Sequence, residues 1–387
     1  MRTSEGDIAL TGLTEHATRP FYVYNLEDAL TRAARFLAAG VSVHYAMKAN
    51  SHPRLLRELA RLGLGADVVS LGELQKALAC GFPPSKLIFS GVAKDREELE
   101  AALEQQIFQI NCESFEELQL LEAISRERGV VADVALRLNI HIAAPTHAHV
   151  QTATPESKFG IDITQLRDVL AWARGKSSLR LRAIATHIGS QIEDLSVFEN
   201  MAGKMGQLYR DLQGDGFPLE RLDLGGGLGI NYQESGAGDL AKADEYLKKL
   251  KAAHGTGARI LVEPGRFLVA RMGVLLAKVI YIKKTSTQHF MVLNAGMNCL
   301  MRPALYEAYH RIAPLKTKGV QGRYTVVGPI CESTDKFAVD RDMPAAERGD
   351  WVAIFDTGAY GAAMANTYNE SPLPKEWSWL GGRWEVT

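Results

Sequence analysis

Eight short apolar runs, separated by stretches with helical spacing, constrain the fold of this chain more than any other feature. The runs occupy residues 41–46, 65–69, 87–89, 108–110, 134–138, 181–186, 222–224 and 260–262. Short buried strands that alternate with helices are typical of parallel βαβ units. Eight such units predict an α/β fold, a (β/α)8 TIM-like barrel of roughly 250 residues rather than an open sheet.

The pattern changes after the eighth run. Residues 274–282, 289–294, 324–327 and 351–355 favour β-strands, with glycine, proline and polar turns between them. We therefore predict a barrel domain over residues 25–271 and an all-β C-terminal domain over residues 272–387. Residues 1–24 are predicted to join this second domain, which we expect to be a β-sandwich or barrel-like.

Composition narrows the classes of function. The formal net charge of the 387 residues is -1, so the chain lacks the basic field of a nucleic-acid-binding protein. Its four cysteines are far apart, and it shows neither a signal-peptide pattern nor an apolar run of membrane-spanning length. We therefore expect a cytoplasmic protein with a small-molecule substrate and no membrane or nucleic-acid partner.

The ends of the runs carry the candidate chemistry, because catalytic side chains of a (β/α)8 barrel lie at the C-terminal ends of its strands. Lys48 follows the first run, in Tyr45-Ala46-Met47-Lys48-Ala49-Asn50. An apolar pocket favours the neutral amine, which is a competent Schiff-base nucleophile, so we predict that Lys48 binds pyridoxal phosphate covalently. A solvated lysine is the alternative. The other strand-end residues are Ser70, Ser90, Asn111, Asn139, His187, Gly225 to Gly227, and Glu263 with Arg266.

Two glycine-containing motifs suit the same cofactor. Gly225-Gly226-Gly227-Leu228-Gly229 follows the seventh run, where barrels often bind phosphate through backbone N–H groups. Its spacing fits neither a dinucleotide fingerprint nor a Walker A loop, and a tight structural turn is the alternative. In Glu263-Pro264-Gly265-Arg266, the carboxylate could pair with a protonated pyridine nitrogen and the guanidinium with an anion. A local Glu–Arg ion pair is the alternative here.

The remaining candidates are less specific. The imidazole of His187 could stack on a cofactor ring, although a lone histidine is more often structural. Cys331-Glu332 could form a proton-donor pair, or Cys331 could be one more buried thiol. His141, His147 and His149 share one long loop, but no acidic or cysteine ligand accompanies them there. We therefore predict no metal site and interpret the loop as a lid.

Taken in order, these motifs resemble those of the fold type III pyridoxal-phosphate decarboxylases, over nearly the whole chain. The shared motifs are Phe21-Tyr22-Val23-Tyr24, Tyr45-Ala46-Met47-Lys48-Ala49-Asn50, Gly72-Glu73-Leu74, Lys158-Phe159-Gly160, His187-Ile188-Gly189-Ser190-Gln191, Gly225-Gly226-Gly227-Leu228-Gly229, Glu263-Pro264-Gly265-Arg266, Arg302-Pro303-Ala304-Leu305-Tyr306, Cys331-Glu332-Ser333 and Gly358-Ala359-Tyr360-Gly361. Each motif alone is weak or moderate, and the ordered set is specific.

The resemblance implies a role for each residue. Lys48 would anchor the cofactor, His187 would stack on its ring, Glu263 would hold the ring nitrogen and Cys331 would act in protonation. The other residues implied in cofactor binding are Ser190, Gly225, Gly226, Gly227, Gly265, Arg266 and Tyr360. Those implied in binding the distal head of the substrate are Arg266, Arg302, Tyr306, Glu332 and Tyr360. The resemblance also implies a homodimer, in which Cys331 and Glu332 complete the site of the other subunit.

The resemblance further implies decarboxylation of meso-2,6-diaminopimelate to L-lysine and carbon dioxide, the last step of lysine biosynthesis. An arginine clamp suits the distal carboxylate of this substrate, which ornithine and lysine lack. The alternatives are a related decarboxylase of ornithine, lysine or arginine, a racemase of the same barrel class, and a pyridoxal-phosphate-binding protein without turnover. The loop from Asn139 through Thr152-Ala153 departs from the family pattern, which bears on the lid and on substrate preference.

Overall fold

A computed structural model describes residues 2–3, 6–7, 10–142, 157–316 and 319–387 of the chain. Its strands are β1 (Arg2–Thr3), β2 (Gly6–Asp7), β3 (Phe21–Asn25), β4 (Ser42–Ala46), β5 (Gly65–Val68), β6 (Leu87–Phe89), β7 (Gln109–Cys112), β8 (Ala132–Asn139), β9 (Ile161–Asp162), β10 (Leu179–Ala185), β11 (Arg221–Asp223), β12 (Arg259–Val262), β13 (Gly273–Lys284), β14 (His289–Leu293), β15 (Ile312–Pro314), β16 (Gln321–Val327), β17 (Lys336–Pro344), β18 (Trp351–Phe355), β19 (Lys375–Leu380) and β20 (Arg383–Val386). Its α-helices are α1 (Leu26–Ala38), α2 (Pro53–Leu62), α3 (Leu71–Ala79), α4 (Arg96–Glu104), α5 (Phe115–Arg128), α6 (Leu166–Ala173), α7 (Leu195–Gly214), α8 (Asp239–His254), α9 (Arg266–Val269) and α10 (Arg302–Tyr306).

Parallel strands close into a barrel, which confirms the predicted fold class. The order around the ring is β4-β5-β6-β7-β8-β10-β11-β12, and pairing of β12 with β4 closes it. Each predicted run overlaps one of these strands. The fourth run is displaced, because the strand is Gln109–Cys112 rather than residues 108–110, and this places Asn111 inside the sheet.

Side-chain caps fix the turns from strand to helix. At the start of α3, the Oγ of Ser70 accepts the N–H of Glu73 at 3.2 Å. The carboxylate of Glu73 reaches back to accept the N–H of Val69 at 2.9 Å. A capping hydroxyl satisfies one of the otherwise unpaired N–H groups of the first helical turn. The helix therefore begins within a few residues of the strand end and holds that end in a defined position.

The second sheet is built around β13, the longest of its strands. β13 pairs antiparallel with β14, β18 and β3, and β3 pairs parallel with β19. The N-terminal strand Phe21–Asn25 therefore belongs to this sheet. Its apolar core contains Phe21, Val23, Val274, Leu276 and Ala353. This arrangement confirms the predicted separate β region after the barrel.

The chain forms two compact units. The barrel unit contains Arg32–Gly229 and Gly238–Gly265, and the β unit contains Met1–Thr31, Ile230–Ala237 and Arg266–Thr387. The domain boundaries read from the sequence stay a prediction. None of the helices within the described residues is both long enough and apolar enough to cross a membrane.

Candidate active site

In the barrel unit, Lys48 lies in a short 3-10 turn, Met47–Ala49, directly after β4. Its Nζ donates to Oδ2 of Asp67 at 3.2 Å. The side chain of Asp67 is fully buried, whereas that of Lys48 is 38% exposed. The other carboxylate oxygen, Oδ1 of Asp67, has no hydrogen-bond partner among the described residues. The amine of Lys48 is therefore held against a buried carboxylate, which argues against a merely solvated lysine.

Two further buried acids lie in the same unit. Oε1 of Glu263, which follows β12, accepts from Nδ2 of Asn111 at 3.5 Å, and Asn111 also donates to Oγ of Ser90 at 3.1 Å. Asp223 accepts from the N–H of Gly225 at 3.0 Å. Burial raises the pKa of the Glu263 carboxyl well above its ordinary value, and the charges of Asp223 and Asp67 raise it further. A buried acid of this kind is stabilised in its ionised form by a cation placed beside it.

His187 is uncharged in this environment. Its Nδ1 accepts the N–H of Gly226 at 3.1 Å, so the ring proton resides on Nε2. Burial, together with the nearby charges of Arg137 and Lys48, lowers the pKa of His187 well below its ordinary value. A neutral, flat imidazole can lie against an aromatic ring without adding charge to it.

The glycine run needs glycine for close packing. A Cβ on Gly225 would lie 2.4 Å from the carbonyl oxygen of Thr186, and one on Gly226 would lie 2.2 Å from that of Glu263. The N–H groups of Gly225 and Gly226 are already donated, to Asp223 and His187. The N–H of Gly227 makes no hydrogen bond within the described part of the chain. The N–H of Gly229 is donated to the carbonyl oxygen of Ile192, so Gly227 is the glycine of the run whose N–H is left to bind an anion.

In the β unit, Arg266 and Arg302 form the centre of a cluster of aromatic and basic side chains. Nη1 of Arg266 donates to the hydroxyl of Tyr232 at 3.1 Å, and its guanidinium lies 4.9 Å from the centre of the Tyr360 ring. The guanidinium of Arg302 lies 4.5 Å from the centre of the Tyr232 ring, and its Nη1 donates to Nε2 of His310 at 2.8 Å. Tyr306 ends the same short helix, α10. Arg302 forms no ion pair with any described carboxylate, so the cluster can accept an anion.

Cys331 and Glu332 are also in the β unit, between β16 and β17, and both are exposed. The N–H of Cys331 donates to Oδ1 of Asn369 at 3.3 Å, and the hydroxyl of Tyr368 donates to Oε1 of Glu332 at 2.7 Å. The other three cysteines are buried. The interpretation of Cys331 as a buried thiol is therefore wrong. Both Cys331 and Glu332 lie on the surface of the single chain.

Sequence reasoning missed several polar residues around Lys48 and Glu263 in the barrel unit and around Arg302 in the β unit. Asp67, Asp223 and Arg137 lie inside barrel strands, and Tyr232 and His310 lie in connecting segments of the β unit. For the first three, the signal in the sequence was a charged residue within an apolar strand. An unpaired buried charge is costly, so such a residue is expected to have a partner or a function. The sequence offers no comparable signal for the other two.

The histidine loop is only partly described. Nε2 of His141 donates to Oδ2 of Asp162 at 2.8 Å, and Ile142 is buried. His147, His149 and the departures at Thr152-Ala153 lie outside the described residues, so the lid stays a prediction. In the ranges that the structure covers, no group of three or more His, Cys, Asp or Glu side chains is placed to hold a metal ion.

Comparison with protein families gives one match that covers the barrel. Residues 24–270 match the family model described as the pyridoxal binding domain of pyridoxal-dependent decarboxylases. The matched range contains Lys48, His187, the glycine run and Glu263.

Individual proteins extend the match to nearly the whole chain. A diaminopimelate decarboxylase of Zymomonas mobilis is 40% identical over 378 residues, which is 96% of this chain and 90% of that protein. One from Pseudomonas aeruginosa is 40% identical over 368 residues, 94% of this chain and 88% of that protein. Among solved structures, diaminopimelate decarboxylase from Helicobacter pylori complexed with L-lysine gives a TM-score of 0.92 at 36% identity, covering 97% of this chain and 95% of that one.

Proposed function

Because the chain belongs to the pyridoxal-dependent decarboxylase family, we propose that it converts meso-2,6-diaminopimelate to L-lysine and carbon dioxide. This membership confirms the resemblance read from the sequence. The cofactor is pyridoxal phosphate. When bound, it supplies an electron sink for the electron pair left at the α-carbon by loss of carbon dioxide.

The observation that carries the substrate assignment is the buried guanidinium of Arg302. It meets a neutral histidine instead of a carboxylate, so its charge is uncompensated within the described residues. Burial is the largest cause of the lowered pKa of Arg302, and Arg266 lowers it further. Two adjacent guanidinium groups favour a carboxylate ligand, which they can bind through charge-assisted hydrogen bonds. Diaminopimelate carries such a carboxylate at the end distant from the reaction.

The barrel residues fit the cofactor. Lys48 would bind it covalently, and Glu263, ionised when a cation lies beside it, would pair with the protonated ring nitrogen. The neutral ring of His187 would lie against the cofactor ring. The N–H of Gly227 would bind the phosphate. The other predicted cofactor-binding residues keep that assignment as part of this proposal: Ser190, Gly225, Gly226, Gly265, Arg266 and Tyr360.

The remaining roles are orientation of Lys48, proton donation and recognition of the distal ammonium of the substrate. Asp67 orients the amine of Lys48 and can accept a further hydrogen bond at its unpartnered Oδ1. We assign proton donation at the α-carbon to Cys331, and recognition of the distal ammonium to Glu332 and the hydroxyl of Tyr306. Exposure of Cys331 and Glu332 on the single chain supports a homodimer in which this pair completes the site of the other subunit.

The direct test is L-lysine release from the purified protein loaded with pyridoxal phosphate. We would supply meso-diaminopimelate, ornithine, lysine and arginine in parallel and measure carbon dioxide and amine products. Turnover of diaminopimelate alone is the expected result. Turnover of one of the other amino acids, with diaminopimelate untouched, would keep the cofactor chemistry and refute the substrate assignment.

Arg302→Met is expected to raise the KM for diaminopimelate about 100-fold, because it removes charge-assisted hydrogen bonds to the distal carboxylate. Steady-state kinetics measure this change, and cofactor content checks that the barrel unit is intact. Arg348→Met removes an exposed arginine of the same unit and serves as the control. An unchanged KM in the Arg302 variant would show that another residue binds the carboxylate.

Subunit mixing tests the shared site. Lys48→Ala and Cys331→Ala homodimers should each be nearly inactive, because each lacks a group needed in both sites. Heterodimers isolated with two different affinity tags should recover activity in one of their two sites. Failure of every mixture to recover activity, with heterodimers demonstrated by mass spectrometry, would argue that one subunit supplies both residues.

A further inference from the structure

His310 is a buried histidine with both ring nitrogens engaged. Its residue exposure is 0%. Nδ1–H donates to the carbonyl oxygen of Phe355 at 2.8 Å, and Nε2 accepts from Nη1 of Arg302 at 2.8 Å. An arginine can only donate, so Nε2 must carry the lone pair and Nδ1 the proton. The two contacts therefore define one tautomer of an uncharged ring.

The surroundings of His310 are electropositive. Arg302, Arg266 and Arg341 all act on its ring, and together with burial, the largest cause, they lower the pKa of His310 well below its ordinary value. Arg341 also donates to the carbonyl oxygen of His310 at 2.6 Å, and the Tyr232 ring lies 5.3 Å away, edge to face. His310 is thus kept neutral among three guanidinium groups.

Arg302 retains both its charge and donors beyond the one given to His310. Its Nε is buried and has no hydrogen-bond partner in the described ranges. A carboxylate in place of His310 would hold the guanidinium equally well but would neutralise it. A side chain without an acceptor would leave the charge intact but the orientation undefined. A neutral acceptor provides orientation and keeps the charge available.

We propose that His310 is a positioning residue for substrate recognition: it orients Arg302 toward the distal carboxylate of the substrate and leaves the arginine charge uncompensated. This proposal rests on the proposed function, since it deepens the role given there to Arg302. His310 itself need not touch the substrate. Its effect is on affinity for molecules that carry the distal carboxylate.

Three substitutions of His310 separate its two proposed effects, which are the orientation of Arg302 and the retention of the arginine charge. His310→Gln places a neutral carbonyl near the position of Nε2, so it keeps an acceptor for Arg302. His310→Glu introduces a side chain of the same size as glutamine, with an acceptor at the same position, but adds a negative charge. His310→Asn keeps a donor for the carbonyl of Phe355 at the position of Nδ1 and removes the acceptor for Arg302.

We expect His310→Asn and His310→Glu to raise the KM for diaminopimelate about tenfold or more, with kcat within about twofold of wild type. The reason is that the contact with the distal carboxylate stabilises the bound substrate and the transition state equally. His310→Gln should recover most of the lost affinity. Inhibition by L-lysine, which keeps the distal carboxylate, should weaken in parallel. Inhibition by 1,5-diaminopentane, which has no carboxylate, should not change.

The outcomes separate this proposal from the proposed function. A wild-type protein that does not decarboxylate diaminopimelate refutes the function. An active wild type with equal KM in the Gln, Glu and Asn variants refutes the role of His310. Parallel losses for L-lysine and 1,5-diaminopentane, or a loss in kcat alone, also refute it. If the Asn variant does not fold, the isosteric Gln and Glu pair still decides, because they differ only in charge.

Discussion

Replacing Lys48 by alanine is expected to abolish covalent attachment of pyridoxal phosphate and to lower kcat by about 10⁶-fold, the size of loss recorded when an enzyme loses its covalent nucleophile. Borohydride reduction followed by peptide mass spectrometry should find the cofactor on the Lys48 peptide of the wild type. The variant should carry none and should lose its cofactor on dialysis.

Lys204→Ala is the matched control for this prediction. Lys204 is an exposed lysine of α7 in the same unit, so its loss removes an amine without touching the site. The control should keep a full complement of reducible cofactor. A Lys48 variant that still attaches the cofactor covalently at another lysine, with kcat intact, would overturn the assignment of the anchor.

Glu263→Gln is expected to lower kcat by about 10²- to 10³-fold, a loss of the size seen when one preorganised electrostatic group is removed. Glutamine keeps the size of the side chain and can still accept from Asn111, but it cannot carry the charge that keeps a proton on the ring nitrogen. kcat at saturating diaminopimelate measures this loss, and cofactor content shows separately whether the variant still binds the cofactor. Asp168→Asn, at an exposed carboxylate of α6, is the control.

The same variant should change how the stability of the cofactor-free protein depends on pH. Burial raises the pKa of Glu263 and of Asp223, so the folded chain holds these protons when the unfolded chain has lost them. The free energy of unfolding should therefore fall as the pH rises from about 4, the pKa of an unfolded carboxyl, through the raised folded values. The free energy of unfolding of the Glu263→Gln variant should fall less steeply than that of wild type over this pH range. Identical slopes would mean that Glu263 is ionised in the folded protein.

The barrel could be predicted because its signals are local. Strand-length apolar runs, helical spacing and capping residues all lie within a few positions of one another, as Ser70 and Glu73 do. Strand ends were less certain, since hydrogen bonding to the neighbouring strand decides them. The fourth strand shows this, because Asn111 lies within it although the apolar run ends at Ile110.

The candidate site could be predicted only in part. Lys48, the glycine run and Glu263 carry motifs that can be recognised in a few residues of sequence. Their pairings cannot, because Lys48 and Asp67 are 19 positions apart, and Asn111 and Glu263 are 152 apart. His310 is only eight positions from Arg302, yet its role depends on a carbonyl of β18.

By itself, the sequence determined the alternation of strands and helices and the candidate residues for a cofactor site, because both depend on side-chain chemistry and short-range spacing. Only the tertiary structure decided the protonation of Glu263, the neutrality of His187 and His310, and which glycine keeps a free N–H. Each of these depends on burial and on charges or acceptors brought together from distant segments. Whether a group is charged or paired is a property of its environment, and the fold creates that environment.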